Sequence, residues 1–350
     1  MEQRRLGRTD VQVSALCLGT MTFGEQNSEA EGHAQMDYAL DKGINFFDAA
    51  ELYPIPPNRE TQGRTERIIG TWLAKTGNRD KVVVATKIVG RTDMDWFREN
   101  GEHGRLTRPQ IEFAVDRSLK NLQTDHIDLY QIHWPDRRTS GFGSNPTRWS
   151  DVEPAEDENS IDSTLEVLAD LVKAGKIRHI GISNESSWGT MQYVAAAERY
   201  GLPRIVSIQN AYSLVNRTFE TNLAEVARRE DVGLLAYSAL AQGYLTGKYR
   251  DGALPAGSRK ALFNRLQRYE DPRAIQAFDA YVNLAKEAGL DPSQMALAFA
   301  MSRSFMTSVI LGATRMDQLE TDIAAAELKL SEDVLEKIDA LHQEFGNPAP

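Results

Sequence analysis

The feature that most narrows what this chain can fold into is a regular alternation of short, apolar, strand-like runs with longer stretches of helical spacing. The runs occupy residues 13–18, 44–47, 81–87, 127–133, 179–183, 205–209, 233–237 and 308–311. Between and after them, residues 29–42, 65–73, 109–119, 162–173, 188–200, 219–229, 273–288 and 316–325 read as helices. Gly43 is a C-cap for the first, and Pro109 opens the third. Such alternation builds a parallel sheet with crossover helices, and eight strands are the number that closes a (β/α)8 TIM barrel. An open doubly wound sheet competes on the same pattern. It calls for a glycine-rich phosphate turn after the first strand, and Gly19-Thr20-Met21-Thr22-Phe23-Gly24 does not match G-x-G-x-x-G. The expectation is an α/β barrel over residues 1–350, as a single domain with an N-terminal hairpin. Long loops at 136–159 and 239–271 follow strand ends and overhang the C-terminal face. An extra helix at 331–345, with Leu335, Ile338 and Leu341 on one face, packs outside.

Composition excludes several classes. A chain of 350 residues that is 41% hydrophobic can bury a full core. A net charge of -10 argues against nucleic-acid binding through a generally basic surface, yet leaves room for a local basic pocket such as a phosphate-bearing cofactor needs. The single cysteine, Cys17, lies in an apolar run and reads as a core residue. With no internal disulfide possible, a reducing compartment is expected. The start Met1-Glu2-Gln3-Arg4-Arg5 is no signal segment, and no stretch reaches the roughly 18 apolar residues of a membrane span. The expectation is a cytoplasmic protein without membrane or nucleic-acid partners. The six histidines are scattered, with no H-x-H or H-E-x-x-H spacing, so no metal site is expected.

Asp48, Tyr53, Lys87 and His133 fall at or just beyond the ends of three successive runs, and in a parallel barrel such ends open on one face. Together they suit carbonyl reduction, which needs a hydride donor and a proton for the oxygen. Tyr53 is the natural acid, protonated at neutral pH since a free tyrosine titrates near about 10. Lys87 beside it would favour the phenolate and lower that value. Asp48 would hold Lys87 charged and aimed, and His133 would orient the substrate oxygen. Each residue alone has a structural reading: Asp48 and Lys87 as an ion pair at the mouth, Tyr53 as a loop anchor beside prolines, His133 as a hydrogen-bonded core histidine. Their shared placement favours a site. The acidic run at 151–158 reads first as a solvated loop, with a gating role as the alternative.

These residues also carry a resemblance. Asp48-Ala49-Ala50-Glu51-Leu52-Tyr53, the Lys87 ending Val84-Ala85-Thr86-Lys87, and Gln131-Ile132-His133-Trp134-Pro135 are similar to the tetrad segments of the aldo-keto reductases. So are the segment 175–184, Ile208-Gln209-Asn210 and Gly312-Ala313-Thr314-Arg315, over nearly the whole chain; Tyr53-Pro54-Ile55-Pro56-Pro57 with the long insert is similar to the Tas-like branch. The resemblance implies an NADPH-dependent oxidoreductase reducing an aldehyde or ketone. It assigns the carboxamide of NADP(H) to Ser183, Asn184 and Gln209, and stacking on the nicotinamide ring to Tyr237. It assigns the pyrophosphate to a loop with Ser238, Leu240, Gln242, Gly243 and Lys248, although alanine stands at position 239 where the family usually has proline. Gly312, Thr314 and Arg315 would meet the 2′-phosphate end, with Gln318 and Asp322 near the adenine, where asparagine is commoner than the aspartate found here. Gly19, Thr20, Met21 and Asp48 complete the implied cofactor contacts. Met21, Tyr53, Trp96, His133 and Trp134 are the expected substrate contacts, with Trp149 a further lining candidate. The same barrel in potassium-channel β subunits serves as a cofactor-sensing regulatory partner, which is the rival reading. A third reading has a barrel that binds NADPH and uses the tetrad structurally. Substrate identity and oligomeric state stay open.

Overall fold

The computed structural model describes residues 1–139, 151–265 and 267–349. Strands β1 (Gln3–Arg5) and β2 (Gln12–Ser14) form an antiparallel hairpin. Eight strands then close a parallel barrel: β3 (Leu16–Gly19), β4 (Phe46–Asp48), β5 (Val83–Ile88), β6 (Ile127–Ile132), β7 (Ile177–Ser183), β8 (Ile205–Ala211), β9 (Gly233–Tyr237) and β10 (Met306–Leu311). The ring closes where β10 pairs with β3, Ile310 lying opposite Cys17. The barrel and hairpin agree with the sequence reading. The run expected at 13–18, however, is divided between hairpin and barrel. The Ser14 amide donates to Asn45 Oδ1 (2.8 Å) and the Ala15 amide to the Glu2 carbonyl (2.9 Å), so the chain leaves one sheet and enters the other at this point.

The helices are α1 (Glu29–Asp41), α2 (Arg64–Thr76), α3 (Arg108–Leu122), α4 (Ile161–Lys173), α5 (Ser187–Tyr200), α6 (Leu223–Glu230), α7 (Arg259–Phe263), α8 (Pro272–Glu287), α9 (Pro292–Met301), α10 (Met316–Ala324) and α11 (Glu332–Phe345). Their starts follow capping chemistry. Ser28 and Glu31 form a reciprocal capping box on α1, and Asp291 accepts from the Ser293 and Gln294 amides ahead of α9. Helical spacing alone did not reveal α9. Its residues Met295 to Met301 are all buried, so it lacks the polar stripe that makes an amphipathic helix legible. The helix expected at 219–229 is instead a 3-10 turn, Thr218–Glu220, followed by α6. Between them Asn222 takes φ 72, outside any helix.

The hairpin plugs the bottom of the barrel. Leu6 and Val13 pack with Cys17, Phe46, Ala85, Leu129, Val206 and Leu235 in an interior cluster whose members are no more than 5% exposed. Burial of side chains of this size contributes about 1.5–3 kcal/mol each. Gly7, at φ +57, lets the hairpin turn approach Val206; a Cβ there would lie 2.5 Å from the Val206 carbonyl oxygen. A larger cluster outside the barrel joins strands to helices and reaches Val334 and Ile338 of α11, which packs on the exterior as expected.

Candidate active site

The interior cluster fixes what lies above it. Successive side chains on a strand alternate faces, so on β4, β5, β6 and β9 the residue two positions beyond the floor residue also points inward. From Phe46 that is Asp48, from Ala85 Lys87, and from Leu129 Gln131 and then His133 just past β6. From Leu235 it is Tyr237. On β8, whose register with β7 shifts, it is Gln209, three positions beyond Val206, that reaches Asp48. The inward face changes from apolar to polar over a single step along these strands, and the polar layer lies toward their C-terminal ends.

Lys87 is the centre of that layer. Its side chain is wholly buried, and Nζ donates to Asp48 Oδ2 and the Ala49 carbonyl, both at 2.7 Å, and to Tyr53 Oη at 3.4 Å. The ammonium also lies 4.7 Å from the centre of the Tyr53 ring. Asp48 Oδ1 accepts from Gln131 Nε2 (3.1 Å) and Gln209 Nε2 (2.9 Å), so both carboxylate oxygens are engaged. Burial opposes the charge on Lys87, but Asp48 and Tyr53 together hold it above its ordinary value. Burial likewise lifts Tyr53 above its ordinary value. The pull of Lys87 toward the phenolate is outweighed, and the negative charge of Asp48 adds to the rise. The lowering expected from Lys87 alone is therefore reversed by desolvation. His133 stands edge-on to Tyr53, with ring centres 5.7 Å apart, and burial together with the Lys87 cation pushes its pKa well down, leaving it neutral. A neutral imidazole here can donate one hydrogen bond without bringing a second cation beside Lys87.

Next to this corner, the Ser183 hydroxyl donates to the Gln209 carbonyl (2.7 Å). Asn184 Nδ2 donates to the His133 carbonyl (2.8 Å), and Tyr237 Oη donates to Asn184 Oδ1 (2.6 Å). Asn184 itself has φ 53, a left-handed conformation that asparagine tolerates and that turns its amide toward the barrel mouth loops. Thr20 is tied to the Asp48 carbonyl through its hydroxyl (2.8 Å). Gly19 has a structural reason to be glycine, because a Cβ there would lie 2.5 Å from the Leu311 carbonyl oxygen.

Comparison with known proteins bears on this arrangement directly. Residues 15–343 match the sequence profile of the Aldo/keto reductase family. Protein tas of Escherichia coli (strain K12) is 52% identical over 354 residues, covering all of both chains. The chain belongs to the aldo/keto reductase family. It is also 35% identical over 351 residues to the uncharacterized oxidoreductase YrpG of Bacillus subtilis (strain 168), covering all of this chain and 98% of that one. A probable voltage-gated potassium channel subunit beta of Arabidopsis thaliana is 29% identical over 351 residues, 98% of this chain and 97% of that one. Aldo/keto reductases are oxidoreductases that generally use a nicotinamide cofactor.

The remaining residues expected at the cofactor follow β9 and β10. The loop after β9 runs through a tight 3-10 segment, Ala241–Thr246, in which Gln242 has φ 54 and Gly243 φ 100. Ser238 also has φ 57, and the φ of Gly243 is one that L side chains rarely adopt, which is why glycine stands there beside the Lys248 side chain. Burial lowers the Lys248 pKa, and no carboxylate of the described residues comes within ion-pair distance of its ammonium. Leu240 packs against the large core cluster. A Cβ on Gly312 would meet nothing within 4 Å, so its backbone is open to approach by a bound group. Gln318 Oε1 accepts from the Thr314 amide (3.1 Å) and hydroxyl (3.2 Å) at the start of α10. Arg315 is exposed and forms a two-point pair with Asp317, Nη2 to Oδ2 at 2.7 Å. Asp322 is buried, and burial with the nearby Asp291 raises its pKa to about 7. An open glycine and a desolvated ammonium fit an anionic, phosphate-bearing cofactor.

The expected substrate side is apolar. Tyr53, Ala50, Leu52, Val89 and Phe97 form a cluster against which Met21, Trp96 and Trp134 pack. The Trp134 indole donates to the Arg91 carbonyl (2.8 Å). Trp149 lies outside the described residues. The acidic run at 151–158 is exposed at most positions, as the solvated-loop reading expects, and Asp157, itself exposed, bridges Arg91 (2.8 Å) and Arg105 (3.0 Å).

Two residues escaped the sequence reading. Gln131 supports Asp48, and its place two residues before His133 on one strand was the available signal. Arg259, on the insert after β9, reaches within 4.0 Å of Met21 Sδ and interacts electrostatically with Tyr53; burial lowers its pKa. Only the folding of that insert brings it there. Among the described residues, no group of three or more His, Cys, Asp or Glu is placed to hold a metal ion, and no helix is long and apolar enough to cross a membrane.

Proposed function

We propose that this single-domain chain reduces an aldehyde or ketone to an alcohol with NADPH, in the cytoplasm, with Tyr53 as the general acid. The bound nicotinamide would supply the hydride. The Asn184, Ser183 and Gln209 group would orient the carboxamide, and Tyr237 would flank the ring. Tyr53 keeps its proton through the neutral range. As charge develops on the substrate oxygen, Lys87 stabilises the phenolate that proton transfer leaves behind, and Asp48 holds Lys87 in place. Neutral His133 donates a hydrogen bond to the same oxygen. Met21, Trp96 and Trp134 form the wall against which an apolar carbonyl substrate would lie.

The observation that carries this reading is the Lys87 ammonium held between Asp48 at 2.7 Å and Tyr53 at 3.4 Å in a buried layer at the strand ends. Tryptophan-fluorescence titration with NADPH and NADH, followed by an aldehyde and ketone panel on the same sample, tests it. Tight NADPH binding with turnover is expected; absence of NADPH binding would overturn the cofactor assignment. The similarity to a potassium channel subunit beta supports a second reading, a cofactor-sensing partner with little turnover. Tight binding, background turnover and a stable co-purifying protein would favour it.

A further inference from the structure

Glu51 and Arg98 form the most buried ion pair near the site that the proposed chemistry does not use. Their side chains are 2% and 4% exposed, with Arg98 Nη1 to Glu51 Oε2 at 2.9 Å. A desolvated pair of this kind is not by itself a source of stability. Neither side chain hydrogen-bonds the side chain of Asp48, Tyr53, Lys87 or His133, so neither relays the proton.

Their connections are to backbone on both sides of the catalytic corner. Glu51 Oε1 accepts from the Val89 amide (2.8 Å), two residues past Lys87, and the Glu51 amide donates to the Lys87 carbonyl (3.0 Å). The Glu51 carbonyl accepts from Gln62 Nε2 (2.7 Å), and the Gly63 amide donates to the Tyr53 carbonyl (2.9 Å). Arg98 fixes the far side of the carboxylate; its Nε donates to Gln110 Oε1 (3.2 Å) on α3. The turn from Asp48 to Tyr53 is thus stitched to the end of β5 by a side chain lying between Asp48 and Tyr53 in sequence. Lys87 and Tyr53 sit on the two parts so joined.

We propose that the Glu51–Arg98 pair is a positioning device for Tyr53: it pins the turn carrying Tyr53 onto the end of β5 and so sets the spacing between the Tyr53 hydroxyl and the Lys87 ammonium. This rests on the reading of Tyr53 as general acid. If the pin is released, Tyr53 moves away from the cation that stabilises its phenolate and becomes a weaker acid, while substrate and cofactor contacts stay in place. Removing both members together leaves the local net charge unchanged, so the effect of geometry is read without a change of field.

The test uses the full chain as Glu51→Leu/Arg98→Leu, beside Glu51→Gln and Tyr53→Phe. Single-turnover reduction of 4-nitrobenzaldehyde by bound NADPH is measured in water and in deuterium oxide, with NADPH affinity and thermal unfolding on the same samples. The double variant is expected to lose about tenfold in rate, with KM and NADPH affinity within about twofold of the parent and a larger solvent isotope effect as proton transfer becomes limiting. Glu51→Gln, whose amide oxygen still accepts from Val89, should retain an intermediate rate. A folded double variant with the parental rate and isotope effect would overturn the positioning role and leave the pair structural only. Should the double variant not fold, Glu51→Gln/Arg98→Gln, which breaks the ion pair and also leaves the local net charge unchanged, decides in its place: about threefold slower supports the proposal, and the parental rate overturns it. Tyr53→Phe separates the two levels. If it is inactive while the clamp variants are unaffected, only the clamp falls; if it keeps the parental rate, or if the parent turns over no carbonyl, the general-acid reading falls and takes the clamp with it.

Discussion

The corner around Lys87 and the segments after β9 and β10 that carry Lys248 and Arg315 are built in opposite ways. At the corner Lys87 is wholly buried and Asp48 has every oxygen engaged by protein groups. At the other end Arg315 is 64% exposed and paired with Asp317, itself 66% exposed, while Lys248 is desolvated without a carboxylate in ion-pair reach among the described residues. The first region is preorganised by strands, where each inward position is set by the floor beneath it. The second is assembled from loops and a helix start, where no strand fixes the side chains. Preorganised groups should control rate, and the loop charges should control affinity.

The largest effect that would break this contrast is at Tyr53. Tyr53→Phe is expected to lower turnover by roughly two to four decades with little change in NADPH affinity, measured by steady-state kinetics and fluorescence titration. Comparable loss of affinity would show that the corner also serves binding. Lys87→Met should follow at about two decades in turnover. It also leaves Asp48 buried without its cation, so unfolding by urea should show a loss of about 3–5 kcal/mol. A variant as stable as the parent would mean that the buried Asp48–Lys87 pair contributes no net stability.

The contrast also explains how much could be read beforehand. The corner was legible because its residues sit at strand ends, and strand ends follow from local periodicity. Gln131 had the same signal, two residues from His133, and was passed over because an amide on a strand suggests no chemistry by itself. The fully buried α9 left no amphipathic stripe to detect. Arg259 had no local signal, since only the folded insert brings it against Met21. The pKa of Tyr53 was misjudged in direction because sequence places the cation near it but does not disclose how completely both are removed from water.

At the phosphate end, Arg315→Ala should weaken NADPH by about tenfold and NADH by no more than about twofold. A charge-assisted hydrogen bond to the 2′-phosphate contributes about 1.5–3 kcal/mol, and exchange from Asp317 keeps the gain at the low end of that range. Asp317→Ala should therefore strengthen NADPH binding a few-fold by freeing the guanidinium. Equal losses for both nucleotides in Arg315→Ala would detach this residue from the extra phosphate.

The smallest expected change in binding, and the sharpest in pH, is at Asp322. Its folded pKa is about 7, against an ordinary carboxyl value near 3.8. The folded protein thus holds a proton that the unfolded chain releases between these values. The linkage fixes the sign: this carboxyl carries no penalty below about pH 4, and the penalty grows as pH rises, reaching its full size above about pH 7. A shift of this size corresponds to about 4 kcal/mol at most. Asp322→Asn removes the ionisation and so should stabilise the protein at pH 8 and leave it nearly unchanged at pH 4, as read by urea unfolding at the two pH values. It also supplies an amide donor at the presumed adenine end, so NADPH affinity at pH 8 should rise by no more than about threefold. A stability change equal at both pH values would mean that the carboxyl titrates alike in the folded and unfolded states, the Lys248 charge offsetting burial.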